Sequence, residues 1–236
     1  MSLNKFIFNG RPDGIGNRIE ELMYIQEYCI DKNLSCFYVW NNTIKFRNYN
    51  PLITFDNITI VDDKNKINNL VIKNNEIFKR TKGNIVKYKF NFNVDIKEDY
   101  DVIVHIRATD RLVNNGKGDF SSESELKRFI ERTINYINNN PNIQTYTIVC
   151  DDDKYKKYVF NKITKRFINL SYDNNIPKDW LDYYYLTKCN QSILMCCKFS
   201  SYSITASILG DKKLLVFPKS LNSNLSRYKA NIEIIS

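Results

Sequence analysis

Five short, continuous apolar segments alternate with helix-like segments through the second half of the chain, and this alternation restricts the fold more than any other feature. The segments are DVIVHI, YTIVC, RFINLS, SILMCC and KKLLVFP, between residues 101 and 218. Strands that alternate with helices pair in parallel, and strands buried on both faces are continuously apolar. The second half therefore predicts a Rossmann-like domain, with a parallel sheet covered by helices.

The first half predicts a smaller, less regular α/β unit. KFIFNG, CFYVW and ITIVDD predict three strands, and residues 64–97 are polar and carry no clear pattern. A helix is predicted between the first two strands by the spacing of Ile19, Leu22, Met23, Cys29 and Ile30. The glutamates of this segment are expected on its outer face: Glu20, Glu21 and Glu27.

The predicted fold class is thus α/β, with two Rossmann-like domains that contain parallel sheets, the second better formed. We expect an N-terminal α/β domain at residues 1–97 and a C-terminal Rossmann-like domain at residues 98–236. In such sheets, ligands bind beyond the carboxyl ends of the strands. The polar segments that follow the predicted strands are therefore the candidate sites.

The charge of the chain favours an anionic partner. Its 236 residues carry a net charge of +9, which suits nucleotides, phosphosugars, nucleic acid or acidic surfaces. The lysines are spread along the whole sequence and form no dense basic block, so no nucleic-acid partner is expected.

The cysteines predict free thiols in a reducing compartment rather than a metal site. No two have CxxC spacing, and the single histidine cannot complete a zinc site. The apolar run in the first residues, MSLNKFIFNG, is too short for a signal peptide. No apolar run reaches the ~18 residues of a membrane span. We expect a soluble cytoplasmic protein with no Cys/His zinc site; its cysteines are Cys29, Cys36, Cys150, Cys189, Cys196 and Cys197.

The turn DGIGNR follows the first predicted strand and opens the first helix. Gly14 and Gly16 would let backbone N–H groups approach a ligand, and a helix N-terminus attracts anions. The full G-x-G-x-x-G pattern is missing because Ile19 stands at its third glycine. A tight strand-to-helix turn without a ligand explains the segment equally well.

HIRATD ends the first strand of the second half. Strand alternation places His105 and Arg107 on one face, with Asp110 in the turn that follows. The guanidinium of Arg107 matches phosphate oxygens and would offset the charge on a departing diphosphate. The alternative is a core histidine beside a surface ion pair between Arg107 and Asp110.

Two further polar segments follow predicted strands. In CKFSSYS, the hydroxyl and N–H groups of Ser200 and Ser201 could bind a phosphate or only cap a helix. In CDDDKYKK, Asp151 and Asp152 could hold a metal, contact a nucleoside or only begin a helix, where carboxylates suit the dipole.

These motifs, taken in order, resemble the superfamily of α-1,6- and α-1,2-fucosyltransferases that includes the nodulation fucosyltransferases. That superfamily has a G-x-G-N turn, an H-x-R-R-x-D motif, an S-D-D-like motif and a serine-rich strand-to-helix segment. VHIRATDRL is most similar to the α-1,6 branch, and WLDYYYLTKCNQSIL resembles the α-1,2 branch. The matches extend from residue 10 to residue 218.

The resemblance implies a GT-B fold and the inverting transfer of fucose from GDP-fucose to a glycan acceptor, with no essential metal and no cofactor. It implies that Arg107 contacts the diphosphate and stabilises the leaving GDP. The residues implied to bind the donor are Gly14, Gly16, Asn17, His105, Arg107, Asp151, Asp152, Ser200, Ser201 and Tyr202. No membrane anchor or stem is expected at the start, which would fit a bacterial or viral enzyme.

Two departures from the motif bear on activity. Ala108 stands where the superfamily has its second arginine, and no glutamate follows shortly after the motif. Asp110 and Asp119 are therefore the candidate bases for deprotonating the acceptor. These departures keep two alternatives open, a non-catalytic nucleotide- or glycan-binding module of the same fold and a glycosyltransferase with another donor.

Overall fold

The computed structural model describes the protein at residues 4–40, 50–62, 86–108, 120, 122–218, 225 and 228–235. The chain divides into two compact units. One comprises Met1–Val94 with Arg227–Lys229, and the other comprises Asp95–Ser226 with Ala230–Ser236. Both units combine α-helical structure with a sheet, which confirms the predicted α/β class.

In its described residues, the first unit contains one long helix and a five-stranded sheet, in the strand order β1-β2-β4-β3-β5. Strands β1, β2 and β4 are parallel, as predicted, whereas β3 and β5 are antiparallel additions that the sequence pattern did not reveal. The elements are β1 (Asn4–Asn9), α1 (Ile15–Lys32), β2 (Leu34–Val39), β3 (Ile53–Phe55), β4 (Ile58–Val61) and β5 (Tyr88–Phe90).

A two-residue turn explains why β3 is antiparallel to β4. Asp56 and Asn57 connect the two strands, and Asn57 has a φ of 64°, in the left-handed region that asparagine tolerates. So short a connection leaves no room for the crossover that a parallel pair needs.

Helix α1 follows the predicted pattern except at its last apolar position. Ile19, Leu22 and Cys29 are fully buried, but Ile30 is 44% exposed because it lies in the final turn. Asn33 ends the helix with a φ of 51°, and its N–H donates to the carbonyls of Cys29 and Ile30.

The second unit has a six-stranded parallel sheet with the strand order β11-β10-β9-β6-β7-β8. RFINLS forms a strand of only two residues, and the edge strand β11 was not predicted. The elements are β6 (Val102–Ile106), α2 (Glu123–Asn139), β7 (Thr145–Cys150), α3 (Asp153–Phe160), β8 (Arg166–Phe167), α4 (Lys178–Lys188), β9 (Ser192–Cys196), α5 (Ser201–Gly210), β10 (Lys213–Val216) and β11 (Asn231–Ile234).

Strands β6 and β9 form the centre of this sheet, and every residue of both is buried. Helices α4 and α5 pack against each other, with the hydroxyl of Tyr183 donating to Oγ1 of Thr205 at 2.9 Å. A Cβ atom at Gly210 would lie 2.5 Å from the carbonyl oxygen of Thr187, so only glycine permits this approach of the two helices.

The connections between strands place a topological switch point beside β6. From β6 the chain proceeds to β7 and then β8 on one side, before it crosses to β9, β10 and β11 on the other. This is the doubly wound arrangement in which ligands bind where the strand order reverses. The fold therefore directs attention to the carboxyl ends of β6 and β9.

Candidate functional site

Three of the four sequence motifs meet at one edge of the second sheet. Ile106, the last residue of β6, pairs with Cys150 of β7 on one side and Cys196 of β9 on the other. The residues that leave these strands, Arg107, Asp151 and Cys197, therefore emerge side by side. The sequence motifs HIRATD, CDDD and CKFSSYS are thus neighbours in space.

His105 is buried at 6% exposure and is held by the first turn of α5. Its Nδ1 lies 2.5 Å from the hydroxyl oxygen of Ser203, and its ring centroid lies 5.3 Å from that of Tyr202. The core-histidine interpretation is correct about burial. However, the partners of the ring come from the serine-rich segment at the switch point.

The N-terminus of α5 follows β9 directly at this edge. Ser200 precedes the helix, and its hydroxyl accepts a hydrogen bond from the N–H of Ser203 at 3.5 Å. Ser200 and Ser201 are both buried, so Ser200 acts as a helix cap in this structure. The N–H groups of the first turn carry the positive end of the helix dipole, which favours an anion.

Tyr202 links this helix to the start of α4. Its hydroxyl donates to the carbonyl of Asp179, and the ring of Tyr183 meets its ring edge-on with centroids 4.9 Å apart. The side chain that packs against His105 is therefore fixed at both its ring and its hydroxyl.

Asp151 holds the backbone that follows Arg107. The N–H of Ala108 donates to Oδ1 of Asp151 at 2.8 Å, while Arg107 itself is half-buried directly after β6. Asp152 caps α3, accepting the N–H of Lys154 at 2.8 Å, as the helix-start interpretation expected. Contact of either aspartate with a nucleoside stays a prediction.

Ala108 is completely buried, and its N–H is the group that bonds to Asp151. The second arginine of the motif is therefore replaced by a side chain that forms part of the core. The candidate bases Asp110 and Asp119 lie outside the described residues.

The fourth motif, in the first unit, forms a tight turn organised by Asp13. The carboxylate of Asp13 accepts the N–H of Gly14 at 2.7 Å and the side-chain amide of Asn17. Its carbonyl accepts Nε of the buried Arg18 at 2.6 Å. Gly16 is buried inside the first turn of α1, so the segment forms the tight strand-to-helix turn that the sequence allowed. The donor-binding role of these residues stays a prediction.

A buried polar network beside this turn escaped the sequence analysis. Glu21 is 2% exposed; it accepts the hydroxyl of Tyr38 at 2.6 Å and lies 3.1 Å from Nε of Arg11. Burial raises the pKa of Glu21, although Tyr38 and Arg11 both oppose the shift. Glu20 is also buried and pairs with Arg11, so placing these two glutamates on the outer face of α1 was wrong.

Arg11 is the residue from which this network could have been predicted. A positive charge shortly after β1 attracts carboxylates of the first turns of α1, which can then be buried although the helical pattern places them on the exposed face. Gly10 completes the arrangement, since a Cβ atom there would lie 2.3 Å from the ring of Tyr38.

The six thiols are all free and buried. Burial raises the pKa of Cys150 and of Cys196 to about 12, so neither is a ready nucleophile although both end strands at the site. Within the described ranges, no group of three or more His, Cys, Asp or Glu residues could hold a metal ion.

None of the helices in the described part of the chain is long and apolar enough to cross a lipid bilayer.

Comparison with known proteins gives a likeness in structure only. No family model matches the chain, and no curated protein matches it in sequence. A crystal structure of NodZ α-1,6-fucosyltransferase soaked with GDP-fucose superposes with a TM-score of 0.57, at 10% identity over 87% of this chain and 92% of that chain. A NodZ structure co-crystallised with GDP gives 0.56, at 11% identity over 88% and 93%. The fold implied by the motifs is thereby confirmed: this chain has the GT-B-like α/β fold of those fucosyltransferase structures.

Proposed function

We propose that this protein is a glycosyltransferase that moves fucose from GDP-fucose to a hydroxyl group of a glycan acceptor. The observation that carries the proposal is that Arg107 directly follows β6 and that the α5 N-terminus follows the adjacent strand β9, at the switch point of the sheet. Both attract a diphosphate. The fold likeness to structures prepared with GDP-fucose or GDP supports the choice of donor.

In this proposal, residues around the switch point bind the diphosphate of the donor. Arg107 provides a planar cation with several donors, and the first turn of α5, with Ser200 and Ser201, provides N–H and hydroxyl groups. His105 and Tyr202 border the same turn, with ring centroids 5.3 Å apart.

The reaction is a displacement at the anomeric carbon of fucose. The acceptor oxygen forms the new bond to C1 as the bond from C1 to the diphosphate oxygen breaks, and attack from the opposite face inverts the configuration. GDP leaves with the bonding electrons, and the acceptor proton passes to a carboxylate. Asp110 and Asp119 are the candidates for that base.

Arg107 and the helix dipole supply the charge that a metal ion would otherwise bring to the leaving diphosphate. We therefore propose a metal-independent reaction, in which positive groups already in place meet the charge that develops on GDP. Residues 98–236 would bind the donor, with Asp151 and Asp152 toward the nucleoside, and residues 1–97 would bind the acceptor. The buried free thiols support a reducing, cytoplasmic setting.

The buried side chain of Ala108 favours one alternative, a module of the same fold that binds the nucleotide or glycan without catalysis. The site there has lost a charge that its motif would supply. Such a module would bind GDP-fucose in a calorimetric titration and release no GDP with any acceptor. A glycosyltransferase that uses another nucleotide sugar is the other alternative.

The test is thermal stabilisation by a panel of GDP, UDP, CMP, dTDP and their sugars, each with Mn²⁺ and with a chelator. A ligand that binds the native state increases the free energy of unfolding by mass action, by ~2.7 kcal/mol at a ligand concentration of a hundred times the dissociation constant, and so raises the melting temperature. Stabilisation by GDP and GDP-fucose, unchanged by the chelator, supports the proposal. Stabilisation by UDP or dTDP alone would overturn the donor, and no stabilisation at all would overturn the function.

A further inference from the structure

We propose that Ser203 is a positioning residue that fixes the tautomer and orientation of the His105 ring, so that Nε2–H faces the donor diphosphate. This inference rests on the proposed function for its ligand. It starts from the 2.5 Å hydrogen bond between Nδ1 of His105 and the hydroxyl oxygen of Ser203. The bond joins the central strand of the sheet to the first turn of α5.

The hydrogen-bond partner of its hydroxyl group distinguishes Ser203 from Thr205 and Ser207, two other buried residues of α5. Thr205 and Ser207 donate to carbonyls of their own helix, those of Ser201 at 2.7 Å and Ile204 at 2.8 Å. This is the usual solution for a hydroxyl buried in a helix. Ser203 instead reaches a side chain of another element.

The proposed contact of the ring with the diphosphate requires one tautomer. A neutral imidazole carries its proton on one nitrogen, and the nitrogen that is hydrogen-bonded to a neighbour decides which. Nε2 can donate to an anion only if it carries the proton, and Nδ1 of the neutral ring is then an acceptor. In this proposal the hydroxyl of Ser203 therefore donates to Nδ1, across the 2.5 Å contact.

The backbone and the ring of this pair are both held in place. The N–H of Ser203 is capped by the hydroxyl of Ser200 at 3.5 Å, and Ser203 is 0% exposed, so water does not compete for the bond. On the ring side, Tyr202 packs against His105 and is itself anchored to Asp179 of α4. Ser203 thus joins a rigid helix start to a restrained ring.

The single histidine of the chain makes the test direct. Long-range ¹H–¹⁵N spectra of the wild type should show one imidazole, with its proton on Nε2. Ser203→Ala should shift this pattern toward the other tautomer or a mixture. It should also weaken GDP binding, measured by calorimetry, by about five- to tenfold, which is the effect of one hydrogen bond. Ser203→Thr, which keeps the hydroxyl, should restore both properties.

Ser207→Ala is the matched control, because it removes a buried hydroxyl of the same helix that bonds only to its own backbone. It should leave the imidazole spectrum and GDP affinity at wild-type values. An unchanged tautomer in Ser203→Ala overturns the inference. If the wild type does not bind GDP, the proposed function fails instead, while the spectra still decide the role of Ser203.

Discussion

The carboxylate of Asp151 accepts the N–H of Ala108 at 2.8 Å, so the residue that follows β7 fixes the backbone that follows β6. Because Arg107 is the residue directly before Ala108, its main chain is held by a neighbouring strand. An aspartate of the CDDD segment can therefore act on the site through Arg107.

Replacing Asp151 should weaken donor binding more than it weakens the fold. In Asp151→Ala, the backbone after Arg107 loses its partner, and we expect GDP affinity to fall by about tenfold, as for the loss of one charge-assisted hydrogen bond. Isothermal titration calorimetry measures this change. Asp153→Ala is the control, since Asp153 is exposed in the first turn of α3 and should leave affinity unchanged. Equal affinities for both variants would contradict the assigned role.

Asp101 should be a major contributor to stability at the amino ends of the second sheet. Its Oδ2 accepts the N–H groups of Gln144 at 2.8 Å and Thr145 at 2.9 Å. Partial burial tends to raise the pKa of Asp101, but these hydrogen bonds outweigh it, and the pKa lies below its usual value. Asp101→Ala should lower the free energy of unfolding by about 1–3 kcal/mol at neutral pH.

The pH dependence of this loss follows from the direction of the shift. A carboxylate with a lowered folded pKa contributes stability above its unfolded pKa and loses it as pH falls through the folded value. The gap between wild type and Asp101→Ala in urea unfolding should therefore be full above about pH 5 and should close in stronger acid. Asp99→Ala, at an exposed neighbour, should show no such gap; a gap independent of pH would refute the account.

Tyr38→Phe should destabilise the first unit by about 1.5–3 kcal/mol, because it removes a hydrogen bond from the buried carboxylate of Glu21. Burial already raises the pKa of Glu21 in the folded protein. Ionisation of this carboxyl therefore lowers the free energy of unfolding as pH rises from the unfolded pKa through the folded pKa. Loss of the tyrosine hydroxyl raises that folded pKa further. The destabilisation should thus be larger at pH 7 than at pH 4.

Thermal or denaturant unfolding at the two pH values measures the effect. Tyr28→Phe is the control. Tyr28 is half-buried on α1, the helix of Glu21, and its ring packs edge-on against Phe6. Similar losses in the two variants, or a loss that is larger in acid, would show that the Glu21 network does not behave as described.

The sequence was informative where a single physical effect dominates. Strands β6 and β9 are buried on both faces, so their continuous apolar runs identified them, and the polar residues directly after them identified the edge with the candidate site. Ser200 was a candidate helix cap and the CDDD segment a candidate helix start, and the structure has Ser200 and Asp152 as helix caps.

The sequence failed where structure depends on a distant partner. Strand β11 pairs at the sheet edge and leaves Ile234 54% exposed, so its residues carry no burial pattern. Glu21 is buried against the helical pattern because Arg11 and Tyr38 meet it. The bond from Ser203 to His105 joins residues 98 positions apart, which residue spacing could not indicate.

The central claim is that Arg107 stabilises the leaving diphosphate of GDP-fucose, and turnover of the donor tests it most directly. Release of GDP from GDP-fucose should be measurable for the wild type, and Arg107→Ala should slow it by about 100-fold or more, as expected for losing one preorganised group on a developing negative charge. Arg132→Ala, at an exposed position of α2, should retain the wild-type rate. Wild-type release of GDP by Arg107→Ala would contradict the account.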